Sequence, residues 1–128
     1  CLAQFARLCG VDQIHTGTAG LGKMENEDTV GINEWLRSDL HGLRDVLPVA
    51  SGGLHPGVVP ALLDRIGPDV CIQAGGGVHG HPDGTRAGAR ALRDAVDAAT
   101  AGTPVEEYAT DRPELAAALD AWGTDAPR

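Results

Sequence analysis

The chain has 128 residues, of which 18 are acidic and 10 basic, and its formal net charge is −8 at pH 7. This length accommodates one small domain or part of a larger one, and an apolar content of 42% is typical of a globular chain rather than a disordered one. The negative charge argues against nucleic acid or an anionic membrane as a partner, because both bind basic surfaces. No apolar stretch reaches the roughly 18 residues of a membrane-spanning helix.

The three cysteines, Cys1, Cys9 and Cys71, are odd in number and show no C-x-x-C spacing. We therefore expect neither a disulfide framework nor a zinc site, and a reducing, cytoplasmic setting fits best. The first residue is Cys1 and the only methionine is Met24. We expect from this that an N-terminal portion of the protein precedes these residues.

The predicted elements alternate between helices and strands. In chain order they are a helix over 1–9, a strand over 11–15, a glycine-rich turn over 16–23, a helix over 30–40, a strand over 46–50, a helix over 58–66, a strand over 70–74, and helices over 85–100 and 114–122. The strands are apolar without period-two alternation, which indicates parallel strands buried on both faces. Two α/β architectures fit, a doubly wound sheet and part of a (β/α)8 barrel. Three strands make a small sheet with open edges, which favours part of a barrel.

A cluster of glycines follows each predicted strand. The clusters contain Gly17, Gly20 and Gly22 after the first strand, Gly52 and Gly53 after the second, and Gly75, Gly76 and Gly77 after the third. The carboxyl ends of parallel strands form the ligand-binding edge of such folds, and glycine leaves backbone amides accessible to a phosphate. Tight turns without a ligand also use glycine. Clusters on consecutive strands nevertheless point to an anion site.

Lys23 is the only lysine beside nine arginines. It lies in the first glycine-rich turn, where a lysine could stabilise developing negative charge on a ligand, although a solvated surface lysine is the alternative. His15 ends the first strand, either facing the ligand or hydrogen-bonded in the core. Ser51 lacks the G-x-S-x-G pattern of a nucleophile and is expected to hydrogen-bond a ligand. His79 and His81 form an H-x-H pair without further assignable metal ligands, so we expect structural roles for them.

Four segments resemble one known family. They are His-Thr-Gly-Thr at 15–18, Gly-Lys-Met-Glu at 22–25, Pro-Val-Ala-Ser-Gly-Gly-Leu-His at 48–55, and Gln-Ala-Gly-Gly-Gly-Val-His-Gly-His-Pro-Asp-Gly at 73–84. Together and in this order they resemble the large chain of ribulose-1,5-bisphosphate carboxylase/oxygenase (RuBisCO), over residues 1 to about 101. The loop 18–23 is one residue longer than in the plant-like pattern. In this respect the chain looks like the archaeal type III enzymes.

The resemblance implies the C-terminal part of a (β/α)8 TIM barrel, containing strands six to eight with their helices, followed by a helical tail. We place the barrel part at residues 1–103 and the tail at 104–128. The resemblance further implies that Lys23 is catalytic and stabilises the carboxylation transition state, and that His15 contacts a phosphate of the sugar bisphosphate. Substrate oxygens and a phosphate would be held by Ser51, Gly52, Gly53, Gln73, Ala74, Gly75 and Gly76.

The resemblance also implies Mg²⁺, held by a carbamylated lysine and two acidic residues on an earlier strand, outside these 128 residues. Ribulose 1,5-bisphosphate and CO2 or O2 would be the substrates, and the complete enzyme would be a dimer-based homo-oligomer. We expect these residues alone to be inactive. In type III enzymes the implied role is AMP, or nucleotide, salvage.

Two other interpretations remain open at this stage. A RuBisCO-like protein would use the same barrel for enolisation or isomerisation, but the retention of Gly22, Lys23 and Ser51 disfavours this. A non-catalytic remnant of a truncated gene is the other.

Overall fold

A computed structural model describes residues 2–21 and 28–125, and its three strands form one parallel sheet. The strands are β1 (Gln13–His15), β2 (Leu47–Ser51) and β3 (Cys71–Gln73), with β2 in the middle. Val49 of β2 lies opposite His15 on one side and Cys71 on the other. The carboxyl ends of the three strands therefore meet at one edge of the sheet.

Every predicted helix and strand is present, with boundaries shifted by a few residues at most, and the predicted glycine-rich turn over 16–23 is described only as far as residue 21. The helices are α1 (Leu2–Leu8), α2 (Thr29–Arg37), α3 (Val59–Ile66), α4 (Gly76–His79), α5 (Thr85–Ala101), α6 (Val105–Tyr108) and α7 (Pro113–Trp122), and short 3-10 turns cover Pro56–Val58 and Ala109–Asp111. The sequence did not predict α4 and α6, because four residues are too few to show a helical period. Of the helices described, none is long and apolar enough to cross a membrane.

The sheet is covered by helices on one face. Along β2, Pro48 and Ala50 are buried while Leu47, Val49 and Ser51 are half-exposed. The expectation that the strands are buried on both faces is therefore wrong for residues 2–21 and 28–125. In a closed (β/α)8 barrel the second face is the interior, which side chains from the other strands fill. A doubly wound sheet would instead carry helices on both faces, so the open face supports the barrel segment.

The main core lies between α3, α5 and α7. Its buried residues are Val59, Ala91, Ala95, Val105, Ala109, Leu115 and Ala118. Alanines at helical spacing on α5 let neighbouring helices approach closely. A Cβ atom at Gly88 would clash with the backbone carbonyl of Val78, so glycine is what allows α5 to pack directly on α4. This packing holds α4, and with it the glycine turn after β3, against the rest of the fold.

Candidate functional site

A cleft of about 530 Å³ lies beyond the carboxyl ends of β2 and β3. Its lining consists of Ser51, Gly52, Gly53, Leu54, His55, Gln73, Gly75, Gly76, Gly77 and Trp122. Ser51 and Gln73 are the last residues of their strands and lie opposite each other in the sheet register. Two of the three glycine clusters therefore share one cleft. A larger groove of about 760 Å³ lies between α3 and the C-terminal end of α5, and none of its residues follows a strand.

Glycine is required at several positions of this cleft. Gly52 and Gly53 have φ angles of +110° and +74°, in the region that side chains disfavour. A Cβ atom at Gly77 would lie 2.7 Å from Cα of His55 and would also clash with the carbonyl of Leu54. The turn after β3 therefore rests directly on the turn after β2, and both depend on the absence of side chains.

The remaining predicted site residues lie in different surroundings. His15 is exposed at the end of β1, beside the cleft, and does not line it. The side chain of Ala74 packs against the core cluster that contains Ala50 and Leu54, so the main chain is what this residue can offer a ligand. Lys23 falls outside the described residues.

Two residues of the cleft were not singled out from the sequence. His55 is buried, and its Nδ1 atom has no hydrogen-bond partner among the described residues. Burial lowers the pKa of His55, and a hydrogen bond to the backbone of Asp125 partly opposes this shift. Trp122 comes from the end of α7 and faces His55 across the cleft, with 5.8 Å between ring centroids. The sequence predicted a helix over 114–122, but nothing local indicates the contact of Trp122 with a turn so far away in sequence.

The H-x-H pair is engaged in hydrogen bonds. Nε2 of His81 lies 2.8 Å from the carbonyl oxygen of Glu114, and the amide of Asp83 donates to Nδ1 of His81 over 3.0 Å. This network assigns the proton to Nε2 and links the turn before α5 to α7. Nδ1 of His79 lies 3.1 Å from the hydroxyl of Thr85. Within residues 2–21 and 28–125, no group of three or more His, Cys, Asp or Glu side chains is placed to hold a metal ion.

The parallel sheet with helices on one face, and glycine turns that converge beyond its carboxyl edge, define a segment of an α/β barrel. The family model described as "Ribulose bisphosphate carboxylase large chain, catalytic domain" matches residues 1–122. The chain therefore belongs to this family, which confirms the resemblance seen in its motifs.

The similarity to individual relatives extends over almost the whole of this chain. It is 57% identical to a ribulose bisphosphate carboxylase of Pyrococcus furiosus, over 99% of this chain and 30% of the relative. The crystal structure of octameric RuBisCO from Pyrococcus horikoshii superposes with a TM-score of 0.90 and 56% identity, covering 95% of this chain and 30% of that one. A rubisco-like protein from Burkholderia fungorum gives a TM-score of 0.85 and 36% identity, over 94% and 31% of the two chains. The chain thus spans about 30% of the length of the relatives it matches.

Proposed function

We propose that the chain is the C-terminal part of a type III ribulose-bisphosphate carboxylase. The complete enzyme adds CO2 to ribulose 1,5-bisphosphate, gives two molecules of 3-phosphoglycerate, and acts in AMP salvage. The observation that carries this proposal is the convergence of two glycine turns on one cleft at the carboxyl ends of β2 and β3. An identity of 57% to an archaeal carboxylase, against 36% and 40% to two rubisco-like proteins, favours carboxylation over enolisation or isomerisation alone.

The chemistry of the cleft suits a phosphate group. Gly76 is exposed at the start of α4 and lines the cleft, so its amide, which has no acceptor within the helix, is available to an anion. The Ser51 hydroxyl and the Gln73 amide add hydrogen-bonding groups at the strand ends. Among residues 2–21 and 28–125, no carboxylate side chain lines the cleft, so a phosphate dianion meets no like charge from them. These features support a role of this cleft in holding one phosphate and neighbouring oxygens of the substrate.

The roles of His15 and Lys23 rest on the family resemblance and on their positions, at the end of β1 for His15 and in the sequence after it for Lys23. His15 contacts a phosphate from the neighbouring strand, whose end is exposed at the same edge of the sheet. Lys23 stabilises the negative charge that develops when CO2 is added, as an ammonium group does in a preorganised site. The contribution of Ala74 comes from its backbone, because its side chain belongs to the core.

The rest of the active site belongs to other parts of the complete protein. Mg²⁺ would be bound there by a carbamylated lysine and two acidic residues, so no step is assigned to it within this chain. The complete enzyme is a cytoplasmic homo-oligomer built from dimers, in agreement with the octameric state of the Pyrococcus horikoshii RuBisCO. The division between a barrel part at 1–103 and a tail at 104–128 stays a prediction.

The proposal is tested on the complete protein encoded by the gene that contains this segment. We expect incorporation of labelled CO2 into 3-phosphoglycerate, and its loss in Lys23→Met with binding of the bisphosphate retained. Arg93→Ala, an exposed residue on α5 paired with Asp97 of the same helix, serves as the control with unchanged activity.

Two results would contradict the proposal. Exchange of a carbon-bound substrate hydrogen with solvent, without CO2 incorporation, would identify a RuBisCO-like enzyme. A stop codon directly upstream of the Cys1 codon, in frame, would identify a remnant.

A further inference from the structure

The segment after β1 is hydrogen-bonded to a residue far away in sequence. Nη1 of Arg65, near the C-terminal end of α3, donates to the carbonyl oxygen of Ala19 over 2.6 Å. Ala19 has a φ angle of +52°, a left-handed conformation that costs a non-glycine residue about 1 kcal/mol. The guanidinium also lies over Gly20, 3.5 Å from where a Cβ atom would stand. Arg65 therefore stabilises an otherwise unfavourable turn at this point.

Other contacts attach the same segment, residues 16–21, to the fold. The hydroxyl of Thr29, the first residue of α2, donates to the carbonyl of Thr16 over 3.0 Å. Within the segment itself, the amide of Leu21 donates to the carbonyl of Thr18, also over 3.0 Å. The side chain of Leu21 is 5% exposed and packs in the core cluster that contains Leu62 of α3. The segment is thus joined to α2 at its start and to α3 at its end.

These contacts differ in what they determine. Burial of Leu21 sets how deeply the segment sits, but apolar packing is not directional. A hydrogen bond from a guanidinium fixes the orientation of the peptide that accepts it. Arg65 supplies this directional contact from α3, at the centre of the left-handed turn.

We infer that Arg65 is a positioning residue: its bond to Ala19 sets the path of residues 16–21, which connect the substrate-facing end of β1 to Lys23. Lys23 follows Leu21 by two positions in the sequence. The inference rests on the proposed function, because an ordered path of residues 16–21 matters for catalysis only if these residues place groups around the bisphosphate. Small displacements of groups in an active site can lower kcat many-fold.

The test uses the complete protein with Arg65→Ala, Arg65→Lys and the control Arg93→Ala, whose partner Asp97 lies on its own helix. Hydrogen exchange at the Leu21 amide reports the order of the segment independently of activity. We expect Arg65→Ala to speed this exchange about threefold and to lower kcat about fivefold, with KM for the bisphosphate changed less than about twofold. Arg65→Lys keeps one cationic donor group, so we expect its exchange rate at Leu21 and its kcat to stay close to those of the unmodified protein. Arg93→Ala should change neither the exchange rate nor kcat.

Unchanged exchange at Leu21 in Arg65→Ala would overturn the inference, and so would a kcat equal to that of the Arg93→Ala control. A rise in KM with unchanged kcat would also overturn it, because it would indicate a contact with substrate rather than positioning. Failure of the proposed function is distinguishable. In that case the unmodified complete protein fixes no CO2, while faster exchange in Arg65→Ala still shows that Arg65 orders the segment.

Discussion

The indole ring of Trp122 lies 5.8 Å from the imidazole of His55, with the ring planes tilted by 42°. The indole also meets His81 edge-on, with 6.2 Å between ring centroids. Trp122 is the last residue of α7, whereas His55 follows the glycine turn after β2. The C-terminal helix therefore supplies one wall of the cleft to which we assign phosphate binding.

Replacement of Trp122 by alanine should weaken both stability and binding. The half-buried indole contacts two histidine rings, and aromatic pairs of this kind contribute about 1 kcal/mol each beyond their buried area. In the complete protein we expect Trp122→Ala to lower the melting temperature and raise KM for the bisphosphate severalfold. Trp122→Phe should retain most of the stability and most of the affinity for the bisphosphate. Asp120→Ala, an exposed neighbour on α7, is the control. Equal melting temperatures for Trp122→Ala and Asp120→Ala would contradict this role.

Gly77 and Gly75 form a matched pair for testing the contact between the two glycine turns. A Cβ atom at Gly77 clashes with the backbone of Leu54 and His55, whereas one at Gly75 meets nothing within 4 Å. The φ angle of Gly75 is −82°, which alanine adopts readily. We expect Gly77→Ala to lose soluble yield and melting temperature and Gly75→Ala to retain both. Comparable stability of the two variants would show that the turns do not rest on each other.

Stability should depend on pH through His55. Burial lowers the pKa of this imidazole below its ordinary value of about 6.5, so the unfolded chain binds the proton more tightly than the folded one. The free energy of unfolding is therefore unaffected by protonation of His55 above about pH 6.5, and it decreases as the pH falls below that value. The melting temperature of the complete protein should fall less between about pH 7.5 and pH 5.5 in His55→Gln than in the unmodified protein.

The matched control for this pH dependence is His41→Asn. His41 is exposed, and its φ angle of +51° is one that asparagine tolerates. The control variant should keep the pH dependence of the unmodified protein. If His55→Gln also kept the pH dependence of the unmodified protein, His55 would not be the source of that dependence.

Arg7 is a buried arginine that holds α1 against the chain before β2. Its side chain is 1% exposed and donates to three carbonyls, those of Trp35, Leu43 and Arg44, at 2.9, 3.3 and 3.2 Å. Arg7→Ala leaves these acceptors without their donor, which we expect to cost about 3 kcal/mol. Arg7→Lys recovers part of this, because one ammonium group cannot span the guanidinium fork. Urea denaturation measures the difference.

Arg44→Ala provides the comparison for Arg7. Its side chain is exposed, and its carbonyl, which accepts the bond from Arg7, remains after substitution. We expect a change within about 0.5 kcal/mol. A loss in Arg44→Ala as large as that in Arg7→Ala would indicate that removal of any arginine in this region is destabilising.

Local sequence patterns were sufficient for the strands and the longer helices. The apolar run over 46–50 predicted β2 to within one residue, and the helical pattern over 85–100 predicted α5 to within one residue. Both patterns depend on residues a few positions apart, which share one face or one backbone conformation. The open face of the sheet was not predicted. An apolar strand has the same sequence pattern whether residues of this chain cover one of its faces or both.

The sequence by itself determined the alternation of strands and helices, the glycine turns at the strand ends and the family to which the chain belongs. Only the tertiary structure decided that the turns after β2 and β3 share one cleft, that Trp122 closes it beside His55, and that Arg65 holds Ala19. The physical reason is the range of the interactions. Backbone conformation follows from neighbouring side chains, whereas contacts between distant segments depend on strand register, helix packing and the absence of a Cβ atom at positions such as Gly77 and Gly88.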